Sequence, residues 1–142
     1  MLLNLTLGIT TMVVCLFVQG VLVVSALRFY ARRLGRAHLS FLAAMRVTSG
    51  MLLILIVGSL AQVSVWALVF LMLGEFETLE VAFYHSGVNF ATLGYGDIVM
   101  SLEHRILGPL EAINGALMIG VSTAALSRAF REVLVAVQGG EI

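Results

Sequence analysis

Residues 92–97 read Thr-Leu-Gly-Tyr-Gly-Asp. An ordinary strand points successive carbonyls to opposite sides. Turning them all to one side needs left-handed backbone angles at alternate residues, which Gly94 and Gly96 reach without the penalty a Cβ brings. A row of carbonyls facing one axis is chemistry for a dehydrated cation, because stacked oxygens replace its water shell, and the Thr92 hydroxyl adds an oxygen at one end. The same glycines also suit a tight turn between two helices. The setting decides between the two.

That setting is a membrane. Of 142 residues, 61% are hydrophobic and 11% charged, whereas a soluble domain has ~45–50% apolar and ~25% charged residues. Eight arginines, with no lysine, balance eight acidic residues, and no basic tail or stripe exists, which excludes nucleic acid as a partner. The single cysteine, Cys15, builds neither a disulfide framework nor a thiolate metal site within one chain and reads as a small buried hydrophobe. A formal charge at mid-bilayer costs about 3 kcal/mol or more, so charges mark the ends of spans. The charge-free runs are 2–27, 47–74 and 112–127, the last reaching back through Glu111 to Pro109. A helix needs about 20 residues to cross a hydrocarbon core of about 30 Å. Three spans are therefore expected: an N-terminal helix over 1–27, an outer helix over 47–74 and an inner helix over 109–128, with a short tail over 129–142. The first run has no preceding basic region and no small-residue cleavage pattern, against a cleaved signal peptide.

Residues 28–46 hold Arg28, Arg32, Arg33, Arg36 and Arg46 and no acid, so they read as a basic cytoplasmic loop. The N-terminus then lies outside with Glu75, Glu77 and Glu80, and the C-terminus, with Arg128 and Arg131, lies in the cytoplasm. Arg28, Arg32 and Arg36 fall four apart and suit a helix at the membrane surface that turns them toward anionic lipid. No array of arginines inside a span suggests a voltage sensor. Between the second and third spans, residues 78–90 have room for a helix rising only about 20 Å, too short to cross. It has to dip in and return. Irregular backbone at membrane depth is tolerated only where it is buried in protein or lines a watery cavity, so the stretch after this helix argues for a pore.

In this setting Thr92-Leu93-Gly94-Tyr95-Gly96-Asp97 resembles the selectivity filter of the tetrameric potassium channel family, whose common form has valine or isoleucine in place of Leu93. A match to the five fixed letters arises by chance in roughly one chain in ten thousand of this size. The resemblance covers 78–128 and the order outer span, pore loop, inner span; the run 2–27 lies outside that minimal unit. It implies an all-α membrane protein: three transmembrane helices plus a re-entrant pore helix and selectivity filter over 78–97, assembling as a homotetramer, since a cage of about eight oxygens needs four strands. The carbonyls of Thr92, Leu93, Gly94 and Tyr95 would form the ion sites, with Gly96 at the outer mouth. The Leu93 and Tyr95 side chains would pack behind as springs. The permeant K+ ion is the only ligand implied, with no cofactor.

Around the filter, the resemblance gives Asp97 a hydrogen-bond partner on the pore helix. The aligned positions carry Tyr84 and His85 where many members have tryptophans, and Val88 where some bacterial members put a glutamate. Tyr84 can still donate through its hydroxyl. Ala91 stands where threonine is frequent. Glu75, Glu77, Glu80 and Asp97 either draw cations to the mouth or form a solvated loop. Histidine is the residue type suited to sensing protons, which makes His85 and His104 candidates for proton sensitivity. In the inner span Pro109 suits a first helical turn. Gly115 and Gly120 are candidate gating hinges, with close helix packing as the alternative. Glu111 needs a partner, with Arg105 or Asn114 in reach.

The expected function is passive potassium conduction. The alternatives are a weakly selective monovalent cation channel, loosened by Leu93 or the altered outer ring, and a non-conducting accessory subunit. No HExxH, no GxSxG and no Cys/His ligand set supports an enzyme, and His38, His85 and His104 are scattered. An active transporter would need repeats or broken helices, for which three spans leave little room. A compact chain of this kind resembles bacterial members, so a bacterial inner membrane is the expected location.

Overall fold

The computed structural model describes residues 1–34 and 41–138. Four helices occupy them and no strand does: α1 (Leu2–Leu34), α2 (Phe41–Met72), α3 (Leu79–Phe90) and α4 (Leu107–Gln138). Within α1, α2 and α4 lie three stretches long and apolar enough to cross a membrane, Leu2–Arg32, Leu42–Met72 and Leu107–Val135. The chain is an all-α integral membrane protein.

The three long helices reach further than the charge pattern suggests. Of residues 28–46, expected as a loop, 28–34 continue α1 and 41–46 begin α2: Arg28 and Arg32 ride on the last turns of α1, and Arg46 on the second turn of α2. Arginine ends a span without ending its helix, because its long stem lets the guanidinium reach the headgroups from a helical position. Arg36 and His38 lie outside the described residues. The inner helix likewise continues past residue 128, where Arg128 pairs with Glu132 one turn on at 3.1 Å.

The outer faces remain apolar and exposed, as at Leu53, Val57, Leu60, Ile113 and Leu117, which is what a hydrocarbon solvent asks of a helix. Hydroxyl groups in the spans satisfy themselves on the carbonyl four residues back, Thr48 on Ala44, Ser64 on Leu60 and Thr123 on Ile119. The core divides in two. Near the arginine end, Tyr30, Ala44, Met51, Leu55, Ala129 and Val133 pack together; near α3, Cys15, Trp66, Phe70, Phe90, Leu107 and Met118 do.

Between the two clusters runs a polar rung. The Gln62 side chain of α2 donates to Gln19 Oε1 at 2.7 Å, and the Gln19 side-chain nitrogen of α1 donates to the Ser122 hydroxyl of α4 at 2.6 Å. At the ends of α1, Asn4 donates to the Glu103 carbonyl at 2.5 Å and the Tyr30 hydroxyl to the Ala129 carbonyl at 2.7 Å. Polar side chains are the directional contacts available between helices where lipid removes the hydrophobic drive. They fasten α1 to α4 and its preceding loop at three depths.

Candidate functional site

The short helix α3 has defined ends. Thr78 caps its first turn, accepting from the Val81 N–H at 3.3 Å, and Glu80 sits in that turn, where a carboxylate suits the helix dipole. At the other end Leu93 N–H bonds the Val88 carbonyl at 2.9 Å and Thr92 N–H the Asn89 carbonyl at 2.8 Å. This pair of bonds is a Schellman closure, which requires a left-handed residue at the position of Thr92. Thr92 has φ +59°, and among the described residues it is the one non-glycine with positive φ. Glycine is the usual choice there, and a β-branched residue is strained.

The left-handed turn at Thr92 begins an alternation. Gly94 has φ +58° and Gly96 φ +74°, whereas Leu93 and Tyr95 keep negative φ. The stretch after α3 therefore alternates in backbone hand over 92–96, the arrangement that turns successive carbonyls the same way. The Leu93 and Tyr95 side chains stand 54% and 65% exposed within one chain, in a groove of about 810 Å³ shared with Leu79, Phe83, Tyr84 and Val88.

Two neighbouring side chains of α3 hold the residues that follow this stretch. The Tyr84 hydroxyl donates to Asp97 Oδ2 at 2.7 Å. That bond holds the Asp97 carboxyl below the usual carboxylate range and raises the Tyr84 hydroxyl above its own. His85, the other candidate partner, turns instead to the backbone: Nδ1 lies 2.9 Å from the Ile98 carbonyl, and Nε2 lies 2.8 Å from the Asn89 side-chain nitrogen. A carbonyl only accepts and an amide NH2 only donates, so the ring is neutral with its proton on Nδ1. Burial pushes the His85 pKa below the ordinary histidine value, against the opposing pull of Ile98 and Asp97. Val88 is buried and brings no polar atom to Asp97.

Glu75 stands apart from the acidic cluster expected at the mouth. It accepts from Ser101 N–H at 2.7 Å and Ser101 Oγ at 2.6 Å, and its Oε1 lies 2.5 Å from His104 Nδ1, so it pins the loop before α4 to the end of α2. Burial opposes its charge, and the bonds from Ser101 and His104 outweigh that and keep it below the usual range. Glu77 and Glu80 are exposed.

Behind the stretch, Glu111 meets neither expected partner. Arg105 is exposed and lines a cavity of about 480 Å³ with His85, Asn89 and Met100, and the Asn114 side-chain nitrogen is buried with no hydrogen-bond partner among the described residues. Glu111 instead bonds the Ser86 hydroxyl of α3. Periodicity alone could not say which helix each residue would face. Gly115 is buried, and a Cβ on it would stand 2.7 Å from the Phe90 carbonyl carbon, so α3 and α4 touch there backbone to backbone. Nothing lies within 4 Å of a Cβ on Gly120. Ser86, Asn89 and Ser101 are the participants that sequence reasoning missed; lone polar residues in apolar surroundings were the signal available.

A family model described as an ion channel matches residues 51–132, from within α2 through α3 to the C-terminal half of α4. No curated protein and no solved structure matches the chain. The matched region is more than half of the chain and includes α3, the alternating stretch and the seam behind it. On that match the chain belongs to this ion channel family.

Proposed function

We propose that the chain conducts potassium selectively and passively, through an axial filter formed by residues 92–96 of a homotetramer. The observation that carries this reading is the alternating hand at Thr92, Gly94 and Gly96. The strain at Thr92 adds to it: glycine would close α3 more cheaply, and a hydroxyl kept at a strained position points to use of that oxygen. Four copies would bring the carbonyls of Thr92, Leu93, Gly94 and Tyr95 around one axis, with the Thr92 hydroxyl at the inner end and Gly96 at the mouth. A neighbouring copy would fill the apolar groove that exposes Leu93 and Tyr95.

The same reading places the N-terminus outside and the C-terminus in the cytoplasm, because the arginines between the first two spans belong on the cytoplasmic side. Anionic lipid would meet Arg28 and Arg32. An apolar groove of about 670 Å³ along Val13, Phe17, Gly20 and Val24 of α1 ends at Arg28 and suits an acyl chain below a phosphate.

The test is the reversal potential of the purified protein in a planar bilayer, with potassium on one side and sodium on the other. A strongly potassium-selective value supports the proposal. Clear current reversing near zero would assign a weakly selective cation channel, which Leu93 and the single exposed Tyr84–Asp97 bond would favour. No current from verified tetramers would overturn conduction by this chain alone.

A further inference from the structure

We infer that Glu111 is a positioning residue for the 92–96 stretch, holding the end of α3 against α4 through the Ser86 hydroxyl. The inference rests on the proposed conduction reading and goes beyond it by naming what sets the depth and angle at which the stretch begins.

A fully buried glutamate inside a membrane span is expensive, and a chain of apolar residues would fill the place at no such cost. Glu111 and Ser86 are both fully buried, and among the described residues Glu111 bonds the neutral Ser86 of α3, while its second carboxyl oxygen is buried without a partner. Ser86 Oγ also stands 2.8 Å from the Val63 carbonyl of α2, so three helices meet at one hydroxyl. A serine hydroxyl has one proton and a carbonyl only accepts. Both contacts are hydrogen bonds when Glu111 is the carboxylic acid and donates to Oγ, while Oγ donates to Val63.

The second contact of the seam is in register with the first. Glu111 and Gly115 are one turn apart on one face of α4, and Ser86 and Phe90 are one turn apart on one face of α3. The bond joins the first of each pair, and the backbone contact of Gly115 with Phe90 joins the second. The bond fixes the register of the two helices along their length, and the bare glycine fixes their separation. Phe90 is the last residue of α3, two before Thr92. A shift of α4 against α3 therefore reaches the first carbonyl ring directly.

The test compares wild type with Glu111→Gln, Glu111→Leu, Ser86→Ala and the double variant Glu111→Leu/Ser86→Ala. Each is verified as an assembled tetramer and read by its potassium-over-sodium permeability ratio. Glutamine keeps a donor on the same frame, so Glu111→Gln should stay near wild type. Glu111→Leu and Ser86→Ala should each lower the ratio about tenfold or more, since every chain of the ring loses one buried hydrogen bond. The double variant should be no worse than either single one, because both remove the same bond. A wild-type ratio in Glu111→Leu, equal loss in Glu111→Gln and Glu111→Leu, or additive losses in the double variant would each overturn the inference. If Glu111→Leu does not assemble, Ser86→Ala, which deletes a single oxygen, decides alone. A selective wild type with unchanged variants removes only this inference, whereas an unselective wild type removes the conduction reading with it.

Discussion

Replacing Gly94 or Gly96 by alanine isolates the backbone requirement from every other property of the site. Among the described residues nothing lies within 4 Å of a Cβ built at either position, so within one chain the substitution meets no side chain that has to move. What it meets is the φ of +58° at Gly94 and +74° at Gly96. Holding an L-residue in that region costs about 1–2 kcal/mol. In the proposed ring of four chains the cost would add to about 4–8 kcal/mol, so the population of rings with all four carbonyls turned inward would fall about a thousandfold or more. The assay is single-channel recording with bi-ionic reversal potentials on assembled tetramers. Either variant should lose conduction or selectivity while inserting normally. Gly74→Ala is the control: it also has open space around it and a φ of +73°, but it lies in the turn after α2, outside residues 92–96, and should leave selectivity unchanged. Wild-type selectivity in both Gly94→Ala and Gly96→Ala would refute the placement of the conducting backbone.

Further expectations follow from contacts around that stretch. Tyr84→Phe removes the 2.7 Å bond to Asp97 and should speed the decay of current during sustained opening, with little change in tetramer yield. His85 is held neutral by burial, so its pKa is lower in the folded chain than in the unfolded one; its contribution to stability is complete above the ordinary histidine pKa and is lost as pH falls through the lowered value. Thermal melts and current decay should therefore worsen on acidification below about pH 6.5, and His85→Gln should flatten the dependence. Tyr30→Phe removes the bond to the Ala129 carbonyl and should cost about 1 kcal/mol, read as a lower melting temperature and as faster hydrogen exchange at the C-terminal end of α1.

The number of spans was legible because charges are excluded from hydrocarbon, and the short α3 was legible because twelve residues cannot cross it. The helix ends were not. Arg28, Arg32 and Arg46 mark where the lipid core stops, and helices run past that point wherever the side chain can reach water. The left-handed angles were readable at Gly94 and Gly96 from residue type. At Thr92 they follow from how α3 closes, and threonine gives no sign of it. Partner choice was the least visible property. Glu111 bonds Ser86, Glu75 bonds Ser101, and Gln19 joins Gln62 to Ser122, each a pairing set by which faces the helices turn to one another. Gly115 was open between hinge and packing on sequence, and its contact with the Phe90 backbone is packing.

The most direct measurement is to look for the ions. Crystals of the assembled protein grown in thallium, a heavy stand-in for potassium, should show anomalous scattering peaks on the symmetry axis between the carbonyl rings of Thr92, Leu93, Gly94 and Tyr95. An ordered 92–96 backbone with no peak along that axis, or one whose carbonyls face away from it, would contradict the account.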